Sequence, residues 1–184
     1  MDLVYRTFLT NTLVDALDID SRSDVLRLVP NPQTPPTAYL CMFDVPYLRR
    51  LPAGTVRVCA GPVVCFIGFP QDYLYSADPH LYLRVASVLT PDFVHPNVAP
   101  HGAVCLGAAF RGGTTMSALL WELYEIVSYR NCTVDERNAF SPEACRLIRA
   151  NGSLLRKLDA GPLFRKKRRL QVTVRPMGEG PHAS

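Results

Sequence analysis

The sequence predicts an α+β fold that runs from an N-terminal helix through an antiparallel β-meander and an irregular loop to C-terminal helices. Apolar residues first recur with the period of a helix, then form short strand-like runs, and return to a helical period after Cys105. The linkers between the strand-like runs are too short for crossover helices. Neighbouring strands are therefore expected to be antiparallel.

The first predicted element is a helix over Leu3 to Leu17. Tyr5, Leu9 and Leu13 follow one another at four-residue steps and form one apolar face. The polar stretch from Asp18 to Ser23 is expected to end this helix.

Five strand-like runs follow, rich in Val, Leu, Phe and Tyr and bounded by Pro, Gly or polar residues. They are Val25–Val29, Tyr39–Val45, Val56–Ala60, Val63–Phe69 and Leu81–Val88.

Three helices are predicted in the last part of the chain. The longest has its apolar face between Met116 and Val127, with Thr114 or Thr115 as its N-cap. The next begins at Ser141, whose hydroxyl can accept a hydrogen bond from the first turn, and Gly152 is expected to end it. A short third helix is expected over residues 153–158.

Composition limits the classes of function. With 184 residues, of which 48% are hydrophobic, the chain can bury its own core and is not a wholly disordered protein. Arg165 to Arg169 contribute five positive charges to a net charge of +4, so nucleic-acid binding is not expected of the remaining, nearly neutral chain. No apolar run approaches the ~20 residues that cross a bilayer, and Met1 to Tyr5 lack the basic start of a secretory signal. We expect a cytoplasmic protein that does not bind membranes.

Two regions are predicted, a domain over residues 1–160 and a basic C-terminal extension over residues 161–184. The basic run from Arg165 to Arg169 is interpreted first as a solvated stretch, then as a docking segment for an acidic protein, and last as a nucleic-acid contact. Leu170 to Val174 alternate like an edge strand, and Met177 to Ser184 are expected to be disordered.

The residues that carry chemistry lie in the loop from His95 to Gly107. This loop holds a thiol, two imidazoles and a carboxamide within eleven residues. A thiolate is a strong nucleophile at neutral pH, and attack on a thioester builds negative charge on its carbonyl oxygen. A carboxamide N–H can stabilise that charge, so Cys105 and Asn97 could be a nucleophile and its oxyanion donor. The alternative is a core cysteine beside a turn-forming asparagine.

Three blocks of sequence resemble the ubiquitin-conjugating enzymes. The first is His95-Pro96-Asn97 followed by a glycine and then Cys105-Leu106, with the asparagine and cysteine eight positions apart. The second is Phe69-Pro70-Gln71-Asp72-Tyr73 with Pro79, and the third is Ser141-Pro142-Glu143-Ala144. Gly107 stands where the family usually has Asp, and 110–114 replace its Trp-Ser-Pro element. With these departures the chain resembles bacterial members found beside activating-enzyme and deubiquitinase partners, often in antiviral defence operons.

The resemblance implies a fold and a set of roles. Cys105 would accept a ubiquitin-like protein as a thioester from an activating enzyme and pass it to a lysine of a protein target. Asn97 would stabilise the oxyanion or order the loop. Three residues would be structural, with His95 bonding the loop backbone, Pro96 fixing its turn, and Tyr73 packing under it.

The resemblance also implies a residue that gates the acceptor amine. By counting from Pro142 it falls near Asn138, with Asp135 and Glu136 as alternatives. No metal or organic cofactor is required, because ATP is used by the partner activating enzyme.

Other functions remain open at this stage. The chain could be a binding module of the same fold for a ubiquitin-like protein, or a cysteine hydrolase built from Cys105, His95 and Asn97. His101 could lower the pKa of the Cys105 thiol, although a solvent-facing role is favoured for it. Zinc is not expected, because the cysteine and histidine spacings match no familiar site.

Overall fold

The computed structural model describes residues 2–107, 110–132 and 134–164. Its elements, in chain order, are α1 (Leu3–Arg22), β1 (Leu26–Pro30), β2 (Ala38–Asp44), β3 (Tyr47–Arg50), β4 (Val56–Cys59), β5 (Pro62–Gly68), α2 (Tyr82–Val85), β6 (Ala86–Val88), α3 (Met116–Val127), α4 (Pro142–Ala150) and α5 (Gly152–Leu155). The predicted α+β class is confirmed, with an N-terminal helix, antiparallel sheets and C-terminal helices. In this part of the chain no helix combines the length and the apolar character needed to span a bilayer.

The main sheet has the strand order β1-β2-β5-β6, and all its pairs are antiparallel. It is not the continuous meander predicted, because β3 and β4 leave it and pair with each other, and Arg49 of β3 also bridges to Phe93. β3 was not predicted as a separate strand. Its Leu48 is fully buried in a second apolar cluster with Val94, Ala144 and Ile148, which draws the β3–β4 hairpin toward α4.

The main core lies between the inner face of the large sheet and the helices α1 and α3. Alternate residues of β2 and β5 point into it, and Cys41 lies directly opposite Cys65 in the register. Leu119, Leu120 and Leu123 of α3 are fully buried against it. This core is the largest source of hydrophobic stabilisation in the described structure.

Helix α1 is longer than predicted. The polar residues that were expected to end it form its last turn, which continues to Arg22. Ile19 is buried there, and Arg22 pairs with Asp18 one turn earlier at 2.6 Å. A cation in the last turn also suits the negative end of the helix dipole.

The prediction of a strand over Leu81 to Val88 is half wrong. Residues 82–85 form the single turn α2, and only residues 86–88 belong to β6. Arg84 in this turn pairs with Asp72 at 2.8 Å, which holds the segment against the preceding loop. A short apolar run suits either structure, so periodicity alone could not distinguish them.

The C-terminal helices begin where the sequence predicts. Thr115 caps α3 by accepting from Ala118 N–H, and Ser141 caps α4 by accepting from Ala144 N–H. Gly152 does not end α4, which stops at Ala150; it begins α5 instead.

The packed structure extends past the predicted boundary at residue 160. Leu163 is buried in the main core, and its carbonyl accepts a hydrogen bond from the Ser23 hydroxyl at 2.6 Å. Phe164 stacks on Trp121 of α3 with 6.2 Å between ring centroids, and the Arg22 guanidinium lies over the Phe164 ring, 5.3 Å from its centroid. The predicted basic run 165–169, edge strand 170–174 and disordered end 177–184 lie outside the described residues.

The loop from His95 to Gly107, called the reactive loop after its predicted role, extends the main sheet. Residues 97–105 form a hairpin-like segment in which Val98 pairs with Val104 and Cys105 N–H donates to the Asn97 carbonyl at 2.8 Å. Its second arm pairs with the end of β6, where Val88 N–H donates to the Gly102 carbonyl at 2.8 Å. The loop is therefore held by main-chain hydrogen bonds to a buried strand.

Gly102 is required at this junction. It has φ of +93°, and a Cβ built on it would come within 2.4 Å of the Val88 carbonyl oxygen. Gly54 is a matched control, since its φ is +76° and a Cβ would meet nothing within 4 Å. We expect Gly54→Ala to lower the free energy of unfolding by about 1 kcal/mol through backbone strain alone. Gly102→Ala should lose about 2 kcal/mol more through the clash, measured by urea denaturation; equal losses would contradict this placement of the loop.

Candidate active site

The hairpin-like segment brings the predicted nucleophile and oxyanion donor together. Val98 and Val104 face each other in an antiparallel bridge, so Asn97 and Cys105 are the next opposed pair, linked by their main-chain hydrogen bond. Val104 is fully buried in the main core, whereas Cys105 and Asn97 are partly exposed. The thiol is therefore not sealed inside the core.

His95 is a buried structural residue of this loop. Its Nδ1 accepts the main-chain N–H of Asn97 at 3.0 Å, so Nδ1 carries no proton and the neutral ring is protonated at Nε2. Burial lowers the pKa of His95 to about 3. Nε2 has no hydrogen-bond partner among the residues that the structure describes. The imidazole thus orders the backbone and stays neutral near pH 7.

Pro96 connects the loop to α4. Its carbonyl accepts the main-chain N–H of Ser141 at 2.8 Å, and Ser141 is the N-cap of that helix. This hydrogen bond joins the Ser-Pro-Glu block to the His-Pro-Asn block, because the residue that caps α4 also binds the loop.

The Asn97 side chain reaches the segment that follows α3. Its Nδ2 donates to the Asn131 carbonyl at 3.4 Å, which is a long hydrogen bond. An amide nitrogen carries two N–H donors, and this bond uses one of them. The other N–H of this partly exposed amide can donate to a developing negative charge.

Tyr73 supports the segment after Cys105 rather than the His95 side of the loop. Its buried ring contacts Phe110, and its hydroxyl donates to the Thr114 carbonyl at 2.8 Å. Gly112 lies against its main chain, since a Cβ there would come within 2.2 Å of the Tyr73 carbonyl oxygen. Tyr73 therefore anchors the connection between the loop and α3.

The predicted gate residues form one turn. The Asp135 carboxylate accepts from the Asn138 amide at 3.0 Å and from the Arg137 main-chain N–H at 3.1 Å. Glu136 instead pairs with Arg146 and Arg149 of α4, at 3.1 and 3.0 Å. Of the three candidates, Glu136 is the one whose carboxylate is paired with α4, so it holds the turn against that helix.

The environments of the six thiols differ, and none of the six cysteines forms a disulfide. Cys41, Cys65 and Cys145 are buried, whereas Cys59, Cys105 and Cys132 are partly exposed. Burial raises the pKa of Cys132 to about 11, which leaves that thiol protonated at neutral pH.

His101 lies at the tip of the hairpin-like segment, in the turn from Ala99 to Gly102, at the opposite end from Cys105. It is exposed there. This position favours the solvent-facing role over an effect on the thiol.

Two residues at the end of α3 belong to this site and were not predicted from the sequence. Asn131 supplies the carbonyl that binds Asn97, and the Tyr129 ring packs on His95 with 4.9 Å between ring centroids. No spacing rule marks them, because they act through a main-chain atom and a ring edge. Within residues 2–107, 110–132 and 134–164, no three His, Cys, Asp or Glu side chains group as metal ligands.

Neither a protein-family model nor a curated protein matches this sequence.

The burial of His95 predicts a pH-dependent stability. Between pH 6.5, its ordinary pKa, and about 3, the unfolded chain binds a proton that the folded protein does not. The contribution of the neutral ring to the free energy of unfolding is therefore complete above pH 6.5. It falls as the pH decreases from 6.5 toward about 3, by at most about 1.4 kcal/mol per pH unit. In His95→Gln, the drop in the free energy of unfolding between pH 7 and pH 5 should shrink by about 2 kcal/mol. Urea denaturation at both pH values measures it, with exposed His101→Gln as the control; an unchanged drop in His95→Gln would mean that the ring is charged when folded.

Proposed function

We propose that this protein is a ubiquitin-conjugating-type acyltransferase. Cys105 accepts the C-terminus of a ubiquitin-like protein as a thioester from an activating enzyme and transfers it to an amine, the lysine of a protein target. The observation that supports this most is the direct opposition of Asn97 and Cys105 across the hairpin-like segment. Opposed residues of an antiparallel pair direct their side chains to the same face. The proposed pathway is a bacterial one in which a partner enzyme uses the ATP.

The reaction consists of two acyl transfers. The Cys105 thiolate attacks the carbonyl carbon of the incoming thioester, a new C–S bond forms, and the thiolate of the activating enzyme leaves. The lysine amine then attacks the Cys105 thioester; a C–N bond forms, the C–S bond breaks, and the amine proton passes to a base in solution. Each step passes through an oxyanion, which an Asn97 N–H can stabilise.

The gate is proposed at the turn of Asp135 and Asn138. The Asp135 carboxylate accepts three hydrogen bonds from its own turn, one of them from the Arg137 guanidinium, and is thereby held in a fixed direction. Such a group could accept a hydrogen bond from the lysine amine and orient that amine toward the Cys105 thioester.

The alternatives are less well supported. A cysteine hydrolase needs an imidazole that accepts the thiol proton, but Nδ1 of His95 is occupied by Asn97 N–H, and its low pKa disfavours protonation. A binding module without catalysis does not require a partly exposed thiol opposite an asparagine.

The first prediction concerns the thiol. A fluorescent peptide thioester ending in Gly-Gly should acylate Cys105 by thiol exchange, giving an adduct that reducing agent removes. Cys105→Ala should lose this adduct, and Cys59→Ala should keep it because Cys59 is similarly exposed but lies on β4. Fluorescence of a non-reducing gel measures the adduct. Equal labelling of Cys105→Ala and the parent protein would refute the assignment, and rapid release as the free acid without added amine would favour a hydrolase.

The second prediction concerns the amide. In Asn97→Ala, transfer of the peptide from Cys105 to free lysine should slow by about 10²-fold, the usual cost of losing one oxyanion donor. Asn131→Ala is the control, because Asn97 binds the main-chain carbonyl of Asn131, which this change retains. The rate constant is measured by single-turnover loss of the preformed adduct. If both variants transfer at the parent rate, Asn97 has no part in the chemistry.

A further inference from the structure

Tyr129 lies in an unusual conformation directly after α3 and its C-cap Ser128. Its φ is +60°, in the left-handed region that bulky side chains rarely adopt. This residue reverses the chain, so that Asn131 N–H returns to the Glu125 carbonyl at 2.9 Å. The reversal leaves the Asn131 carbonyl facing the Asn97 amide. A rare backbone conformation is thus maintained next to the candidate oxyanion donor.

The phenol of Tyr129 links two separate segments. Its oxygen accepts the Leu48 N–H of β3 at 3.0 Å and donates to the Val94 carbonyl at 2.6 Å. Val94 is the residue before His95, so the second bond ties the start of the reactive loop. Burial raises the pKa of Tyr129, which keeps the hydroxyl protonated and able to donate.

The ring of Tyr129 also forms one wall of the His95 pocket. The two rings meet edge to face, with 4.9 Å between centroids and 60° between planes. His95 in turn accepts the main-chain N–H of Asn97. Tyr129 therefore reaches Asn97 by two routes, through His95 to its backbone and through Asn131 to its side chain.

We propose that Tyr129 is a positioning residue for acyl transfer from Cys105, which fixes the Asn97 amide through the Val94, His95 and Asn131 contacts. This inference rests on the proposed function. It assigns to Tyr129 an effect on the second chemical step, attack of the amine, and little effect on formation of the thioester by thiol exchange.

The test compares Tyr129→Phe with Tyr124→Phe. Tyr129→Phe keeps the ring and loses both hydrogen bonds of the hydroxyl. Tyr124→Phe removes a hydroxyl from another tyrosine at this end of α3, one that donates to the Gly161 carbonyl. We expect both variants to lose stability. We expect only Tyr129→Phe to alter the surroundings of Asn97, because its hydroxyl binds Val94, next to His95.

We expect Tyr129→Phe to slow peptide transfer to free lysine by about tenfold, since small misplacements of a catalytic group have effects of this order or larger. Its acylation by the peptide thioester should stay near the parent rate, and Tyr124→Phe should transfer normally. In an Asn97→Ala background, Tyr129→Phe should cause no further slowing, because the group it positions is already gone. A slowing of equal size in both backgrounds, or none in either, would overturn the proposal.

A second measurement does not depend on activity. In ¹⁵N-labelled protein, the side-chain amide signal of Asn97, assigned with Asn97→Ala, should shift in Tyr129→Phe and stay in place in Tyr124→Phe. An unmoved signal in Tyr129→Phe would overturn the positioning role. If the peptide fails to acylate Cys105 in the parent protein, the proposed function fails, whereas the amide signal still decides whether Tyr129 positions Asn97.

Discussion

The candidate site depends on one constraint: residues 97–105 form a hairpin-like segment whose second arm, residues 102–104, is hydrogen-bonded along its main chain to β6. Val104 is drawn into the main core, and the neighbouring Cys105 is left partly exposed. The other end of the loop is fixed in a different core, because Val94 packs with Leu48 and the residues of α4. A loop held at both ends by buried residues can present a reactive group in a defined place, as expected of sites carried on a rigid scaffold.

The surroundings of Asn97 are polar but carry no buried charge. His95 is neutral, the Tyr129 phenol is neutral, and the other partner is a main-chain carbonyl. In a neutral setting, the charge of a developing oxyanion is met by N–H donors rather than by a fixed cation. Nε2 of His95, which is buried without a partner in the described residues, has a cost in stability that this arrangement tolerates.

The sequence was informative where local rules decide the structure. The caps at Thr115 and Ser141 and the antiparallel pairs follow from side-chain chemistry and short linkers. The β3–β4 excursion depends on which of two clusters buries Leu48, a long-range choice that no local pattern encodes. The same applies to the site. Side-chain chemistry and the family resemblance singled out Cys105 and Asn97, but Tyr129 acts through a ring edge and a reversed backbone, and a single sequence marks neither of these features.

The segment 160–164 has a consequence for how helices α1 and α3 are held together. Leu163 is buried in the hydrophobic interior, and the Phe164 ring contacts both the Trp121 indole and the Arg22 guanidinium. Leu163 and Phe164 are therefore fixed at the place where α1 ends and where Trp121 of α3 is exposed. A change that displaces Phe164 therefore acts on both helices at once, because Trp121 belongs to α3 and Arg22 to the last turn of α1.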